Sequence, residues 1–532
     1  MAQLWFNGNI YTMVKPGERV EAIVTKDGFI VATGNKQSLE QQFGATIDQY
    51  MDLKGATMLP GFVDSHMHLI GYGESLLRLD LSKMTSKKDI LAAVANKVST
   101  LEEDEWLVGE GWNENLWEDK TIITKEELDA VSGNHPVVLK RVCRHALVGN
   151  SKALKLANIH NETTNPSGGI IVKDASGNVT GFLKDAAQDL VLKVMPAYTI
   201  NYLKKLLKTG IEHCYQLGLT GAHTEDLNYY GSFQNTYSAF KEVIEENEVL
   251  FRSHLLIHHG VIDEWKESGH TYLSGSSFVQ FGPMKIFSDG SFGGRTALLS
   301  FPYADDPSTN GVAIHTYEQL QQLVKKAREY KMPVAVHAIG DLSFRWVLDA
   351  IEKHPLTING RDRLIHAQAL QKDMIERMKQ LPVVLDIQPR FLASDFPWVM
   401  DRVGEGNIDY FYAWKTLIDA GIHCAGGSDA PIEDANPLLG IHAAVTRTIP
   451  EDSSATIYGP EERLSMYEAV SLFTTGSAYA VLNEQQQGLI KSGYYADFTI
   501  LDKDIFTISA SELLTANVQM TVIAGKIVYQ SK

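Results

Sequence analysis

Six residues of this chain have the types and contexts needed for chemistry at a divalent cation. His66 and His68 close the run Leu59-Pro60-Gly61-Phe62-Val63-Asp64-Ser65-His66-Met67-His68. Residues i and i+2 of a strand share a face, so both imidazoles can reach one ion from one strand end. Lys285 lies in Gly282-Pro283-Met284-Lys285-Ile286-Phe287, and His337 ends Met332-Pro333-Val334-Ala335-Val336-His337. His366 ends Leu364-Ile365-His366, and Asp429 follows Ile422-His423-Cys424-Ala425-Gly426-Gly427-Ser428. Neutral imidazoles and a carboxylate, with a position left for water, are what a hydrolytic metal site requires, because the bound water then ionises near neutral pH. An ammonium would repel the cation. A buried lysine loses its proton more easily, and a neutral amine can add carbon dioxide to become an anionic carbamate ligand. Asp429 is the candidate base, taking a proton from water and returning it to the leaving group.

Each of these residues also has a plainer reading. A strand end can carry a polar histidine, and a lone core histidine is usually hydrogen-bonded structure. Asp429 before Ala430-Pro431 resembles a helix N-cap, and Lys285 could pair with Asp289. Shared order and shared strand-end placement favour the metal reading for the set. Arg295, in Gly293-Gly294-Arg295, suits a substrate carboxylate or carbonyl, or a loop-fixing ion pair. Trp112 and His145 are candidates for a pocket wall, or for packing within their own subdomain. His223 is expected to support the site or the core. His258 and His259 are adjacent, so at most one points inward on a strand. His442 has no supporting context.

These positions must be held by eight strand-plus-helix units. Short apolar runs followed by helix begin near Met58–Ser65, Thr220–His223, Phe251–His258 and Val279–Phe287. They continue near Pro333–His337, Arg363–His366, Val383–Ile387 and Ile422–Ala425. Eight such units predict an α/β fold built on a (β/α)₈ TIM-type barrel, whose active site lies at the C-terminal ends of the strands. An open doubly wound sheet is less favoured, because no G-x-G-x-x-G opens a helix after the first strand. The first and second runs are too far apart for one loop. Residues from about 72 to 205 therefore form an inserted subdomain, expected as a lid or specificity wall. Both chain ends are β-rich, which predicts one composite β-sandwich from 1–55 and 481–532 around a barrel at 56–480.

Composition narrows the function classes. The chain has 532 residues, 44% hydrophobic and 21% charged, with a formal net charge of −17. That charge argues against nucleic acid or an anionic membrane surface as a partner. Cys143, Cys214 and Cys424 form no metal-spaced pair and read as thiols of a reducing compartment. The N-terminus has no basic stretch leading into an apolar one, so the expected location is cytoplasmic. The expected assembly is a homodimer, on the prevalence of twofold symmetry alone.

The ordered set His66-x-His68, Lys285, His337, His366, Asp429 resembles the metal-dependent amidohydrolase superfamily. The flanking stretches resemble its large branch related to N-substituted formamide deformylases. They are Leu59–His68, Gly111-Trp112-Asn113, Asn150–Leu154, Lys285–Ala297, His337–Asp341, Gly427–Pro431 and Gly488–Leu501. The resemblance implies a zinc-type hydrolase with one or two ions. His66, His68 and Asp429 would hold the more buried ion, His337 and His366 the other, and carboxylated Lys285 would bridge them. Asp429 would also shuttle the proton. In this branch the inserted-domain histidine usually follows Asp-Gly, whereas His145 follows Cys143-Arg144, which points to a different substrate pocket. The expected reaction is cleavage of an amide-type C–N bond in a small molecule such as an N-substituted formamide or N-acyl amine. The rivals are a deaminase or an ester or lactone hydrolase on the same site, and a metal-free scaffold. None of the six positions is substituted, which disfavours the scaffold.

Overall fold

The computed structural model describes all residues except 115–116, 142–145, 167, 197, 248, 451 and 453–455. Two compact units divide it, one made of Met1–Gly73 with Ile200–Lys532 and the other of Glu74–Thr199. Among the described residues no helix is long and apolar enough to cross a membrane.

The larger unit is organised by an eight-stranded sheet whose ladders are all parallel. Its strands are β1 (Phe62–Met67), β2 (Leu219–Thr224), β3 (Arg252–His258), β4 (Val279–Phe287), β5 (Val334–Ala338), β6 (Asp362–His366), β7 (Val383–Ile387) and β8 (Cys424–Gly426). They pair in sequence order from β1 to β8. Most of their residues are buried, as expected of parallel strands covered on both faces. Helices return the chain between them. Ile200–Gln216, ahead of β2, buries Leu203, Leu206, Leu207, Gly210, Ile211 and Cys214 at helical spacing. Tyr317–Glu329, ahead of β5, starts from a capping box between Thr316 and Gln319. The result is a nearly closed eight-stranded barrel.

The two ends of the chain meet in a second sheet. Its path runs Lys526–Gln530, Val518–Ile523, Phe498–Leu501, Thr57–Pro60, Ala2–Tyr11, Arg19–Lys26, Phe29–Gly34, with Gln49–Asp52 also on Ala2–Tyr11. Trp5, Ile10, Ile23, Met58, Phe498 and Val522 are among its buried core residues. The sequence run Met58–Ser65, expected as one strand, is divided at Gly61. Thr57–Pro60 pairs with Phe498–Leu501, whereas β1 pairs with β2. The Gly61 N–H donates to the Asp497 carbonyl, and a Cβ there would lie 2.4 Å from the Thr220 side chain. Gly61 thus lets the chain pass from one sheet to the other where no side chain fits.

Glu74–Thr199 carries its own six-stranded sheet, ordered Gly169–Lys173, Val179–Asp185, Ala146–Gly149, Val137–Arg141, Leu107–Trp112, Leu79–Asp80. Trp112 and Trp117 stack in its core at 5.8 Å. Asn150 caps the helix Ser151–Leu156 through its side-chain oxygen, and its amide donates to Ser132 and to the His135 carbonyl.

The barrel seam between β8 and β1 has no strand ladder. The buried Asp64 carboxylate spans it, accepting from the His66 N–H on its own strand and from the Ser428 N–H and hydroxyl across the gap. Backbone bonds from Asp429 N to His66 O and from His68 N to Ala430 O, both 2.8 Å, continue the closure. Gly427 is required at this approach, since a Cβ would lie 2.6 Å from the His66 nitrogen. Leaving those buried donors without an acceptor in Asp64→Ala is expected to cost about 3 kcal/mol. Urea unfolding of the variant should show a lower midpoint, and an unchanged midpoint would exclude the seam role.

Candidate metal centre

All six residues expected to act on a metal come together at the C-terminal ends of the barrel strands. β1 delivers His66 and, one residue past its end, His68, with ring centroids 5.7 Å apart. β4 delivers Lys285, β5 His337 and β6 His366. Asp429 follows β8. Among the described residues, His66, His366 and Asp429 form a group whose ligand atoms lie within 4.8 Å of one another. Asp429 Oδ1 is 3.4 Å from His66 Nε2 and 3.5 Å from His68 Nε2. Lys285 Nζ is 3.0 Å from His66 Nε2, and the His337 and His366 ring centroids are 4.5 Å apart.

Neighbouring groups orient the rings as metal-ligating imidazoles are oriented, with one nitrogen spent on an oxygen acceptor. His68 Nδ1 bonds to the Glu225 carbonyl at 2.6 Å, and His366 Nδ1 to Gln388 Oε1 at 2.7 Å. His337 Nε2 bonds to the Gly290 carbonyl at 3.0 Å. When these nitrogens donate, His68 Nε2, His366 Nε2 and His337 Nδ1 keep their lone pairs. His66 Nδ1 is buried with no hydrogen-bond partner. The donor set of imidazoles and a carboxylate fits a divalent ion.

The electrostatics agree with that fit. Burial holds His66 and His337 well below the ordinary imidazole range and brings His366 down to about 4, so these rings are neutral donors. Burial also opposes charge on His68, but Asp429, Glu225 and Asp226 outweigh it and raise this ring to about 9. The same carboxylates that hold a proton there would hold a cation. Burial opposes charge on Asp429 too, yet His68, His366 and Lys285 keep it below the usual carboxylate range. Lys285 is fully buried and pushed down to about 8 by that burial. Its amine is not paired with Asp289. That carboxylate instead accepts backbone N–H groups from Leu298, Ile339 and Gly340. His366 and Asp429 adopt left-handed backbone, with φ of 76° and 59°. Such strain costs on the order of 1–3 kcal/mol per residue and collects at functional sites.

The remaining expected site residues have other surroundings. Arg295 is half-exposed, and its guanidinium pairs bidentately with Asp305 at 3.0 and 2.7 Å. Trp112 is fully buried in the core of the Glu74–Thr199 unit, and its Nε1–H donates to the Leu139 carbonyl. Both its ring and its polar atom are committed there. His145 lies outside the described residues, as does Cys143. His223 is buried beneath the site and faces His254, with ring centroids 5.4 Å apart. Sequence reasoning missed Asp64, Glu225 and Gln388, which bond to the His66 backbone and to the His68 and His366 rings. Their signal was a polar residue beside each strand end, legible only once the strands are assembled.

Comparisons with known proteins bear on the family and the fold. Residues 49–529 match the model of the amidohydrolase family. YtcJ of Bacillus subtilis (strain 168) is 50% identical over 530 residues, covering 100% of both chains. The N-substituted formamide deformylase of Arthrobacter pascens is 24% identical over 544 residues, covering 98% of this chain and 97% of its own. The crystal structure of an uncharacterized metal-dependent hydrolase from Pyrococcus horikoshii OT3 superposes with a TM-score of 0.80 at 29% identity, covering 96% of this chain and 99% of its own. With its barrel, its cluster of ligand-type residues and a family match over nearly its whole length, the chain belongs to the amidohydrolase family and is a hydrolase.

Proposed function

We propose that the protein is a zinc-dependent hydrolase of an amide-type C–N bond, in an N-substituted formamide or N-acyl amine. The observation that carries this reading is the convergence of His66, His68, Lys285, His337, His366 and Asp429 on one strand-end cluster, with imidazole nitrogens turned inward. Nitrogen and carboxylate ligands suit zinc. The formamide substrate class is supported by the similarity to N-substituted formamide deformylase. The two described thiols, Cys214 and Cys424, are buried and unpaired, in keeping with a reducing, cytoplasmic setting.

In this reading His66, His68 and Asp429 would hold one ion and His337 and His366 a second. Bound zinc supplies Lewis acidity and makes water a nucleophile near neutral pH. Lys285 would be a further ligand once its neutral amine had added carbon dioxide. A nitrogen–carbon bond forms, the amine loses a proton, and an anionic carbamate remains. Asp429 accepts a proton from the attacking water as its oxygen bonds to the carbonyl carbon. It returns that proton to the leaving nitrogen as the C–N bond breaks.

Three measurements test the reading. Elemental analysis of purified protein should find zinc, and His66→Asn should carry less; full occupancy in that variant would remove β1 from the site. Crystallography of the metal-loaded protein should show density continuing past the Lys285 amine, whereas a bare ammonium would exclude the bridge. Hydrolysis should be tested on panels of N-formyl, N-acyl, ester and amino-heterocycle substrates. Activity is expected on the formyl or acyl amides, with Asp429→Asn lowering kcat about a hundred- to ten-thousand-fold. Turnover confined to esters or amino-heterocycles would replace the C–N amide assignment.

A further inference from the structure

The barrel interior below the metal layer is apolar on one side and polar on the other. Leu256, Ala335 and Ile365 make the apolar part. The polar part begins at Lys285, which feels the charges of Asp386 and Arg363, and at His66, which feels that of Arg363. Arg363 is fully buried. Its Nε donates to Asp386 Oδ2 at 2.8 Å, and one terminal nitrogen donates to the Ser65 carbonyl. Its other terminal nitrogen, Nη1, is buried with no protein partner. The Arg363 charge also reaches the rings of His223 and His254, which burial keeps neutral.

These two rings continue the polar path downward. His254 Nδ1 bonds to Gln280 Oε1 at 3.2 Å, and the His223 ring faces the Ser65 carbonyl. His223 Nδ1 and His254 Nε2 are left as buried acceptors without a partner, and Ser253 Oγ is likewise unpartnered. His223, Ser253 and His254 line a cavity of about 280 Å³ with Gln280, Ser277 and Asn483. Arg252 and Ser253 begin β3, and Ser277 precedes β4, so the cavity lies at the N-terminal end of the strands, opposite the metal centre. No carboxylate lines it. Two imidazole nitrogens without protein partners, together with the Arg252 guanidinium that also lines the cavity, disfavour a cation there, and Arg363 Nη1 lies beyond its lining. They call for a small neutral molecule that both donates and accepts.

Water meets that demand, and buried polar atoms without protein partners are where ordered water resides. We propose that an unbroken column of ordered water runs from the cavity at the N-terminal end of the barrel, past Ser253, His254, His223 and Arg363, to the metal layer. The column supplies the water molecule that each hydrolysis consumes. This supply role depends only on the protein being a hydrolase, and the column can be observed without a substrate.

The column is tested on the metal-loaded wild-type protein by atomic-resolution crystallography. Water is expected on Arg363 Nη1, His223 Nδ1 and His254 Nε2, each within hydrogen-bond reach of the next site along the path. A dry interior, or one broken at Arg363, would overturn it. The supply role is tested by His254→Leu, which interrupts the path, and by Ser277→Trp, which fills the cavity mouth from an exposed loop. With metal content equal to wild type, either variant is expected to lower kcat roughly tenfold at unchanged KM. Wild-type kcat in a folded, metal-loaded variant of either kind would reject the supply role. Ser277→Trp leaves the barrel interior untouched, so it decides the matter even where His254→Leu does not fold.

Discussion

The site depends on the seam between the first and last barrel strands. Every other strand joins its neighbours by backbone ladders, but β8 and β1 are held by one buried carboxylate and a few backbone bonds. Asp64 satisfies donors on both sides of the gap. It therefore fixes the spacing of His66, on its own strand, and Asp429, one residue past Ser428. Burial pushes the Asp64 carboxyl up to about 7, against the hydrogen bonds from Ser428 and His66 that hold it down. Removing it would open the barrel where the segments carrying His66 and Asp429 meet.

Within that frame the polar groups are arranged by charge. Burial keeps His66, His337 and His366 neutral, and it takes Lys285 toward the neutral amine. The carboxylates gather around His68, where the field favours a cation. His366 and Asp429 adopt left-handed backbone, and each is held by a hydrogen bond to a distant strand segment. His366 is held by Gln388, and Asp429 by the His66 carbonyl. Two of the chain's left-handed non-glycine residues thus fall within the cluster, where such strain can serve chemistry.

Arg295 and Trp112 show why residue type alone is a weak guide to substrate contacts. Arginine suits planar carboxylates, and here it meets one within its own loop, Asp305. Tryptophan suits a pocket wall, and here it fills a core and spends its N–H on the Leu139 carbonyl. Both outcomes follow from ordinary packing and pairing. Neither is visible until the neighbouring chain segments are known.

The chain's own order of residues carried the metal reading. A strand's period of two places His66 and His68 on one face, and apolar runs ending in His337 and His366 place both at strand ends. Eight run-and-helix units were enough to expect a barrel, since short-range periodicity is written locally. Other features rest on partners distant in sequence. Gly61 divides one apolar run between two sheets because Thr220 and Asp497 approach it. Asp64 bridges to Ser428, 364 residues away. The polar path through Arg363, His223 and His254 exists only because residues of three different strands meet inside a nearly closed sheet. Local sequence sets which face a side chain takes, whereas the closing of the barrel decides which faces meet.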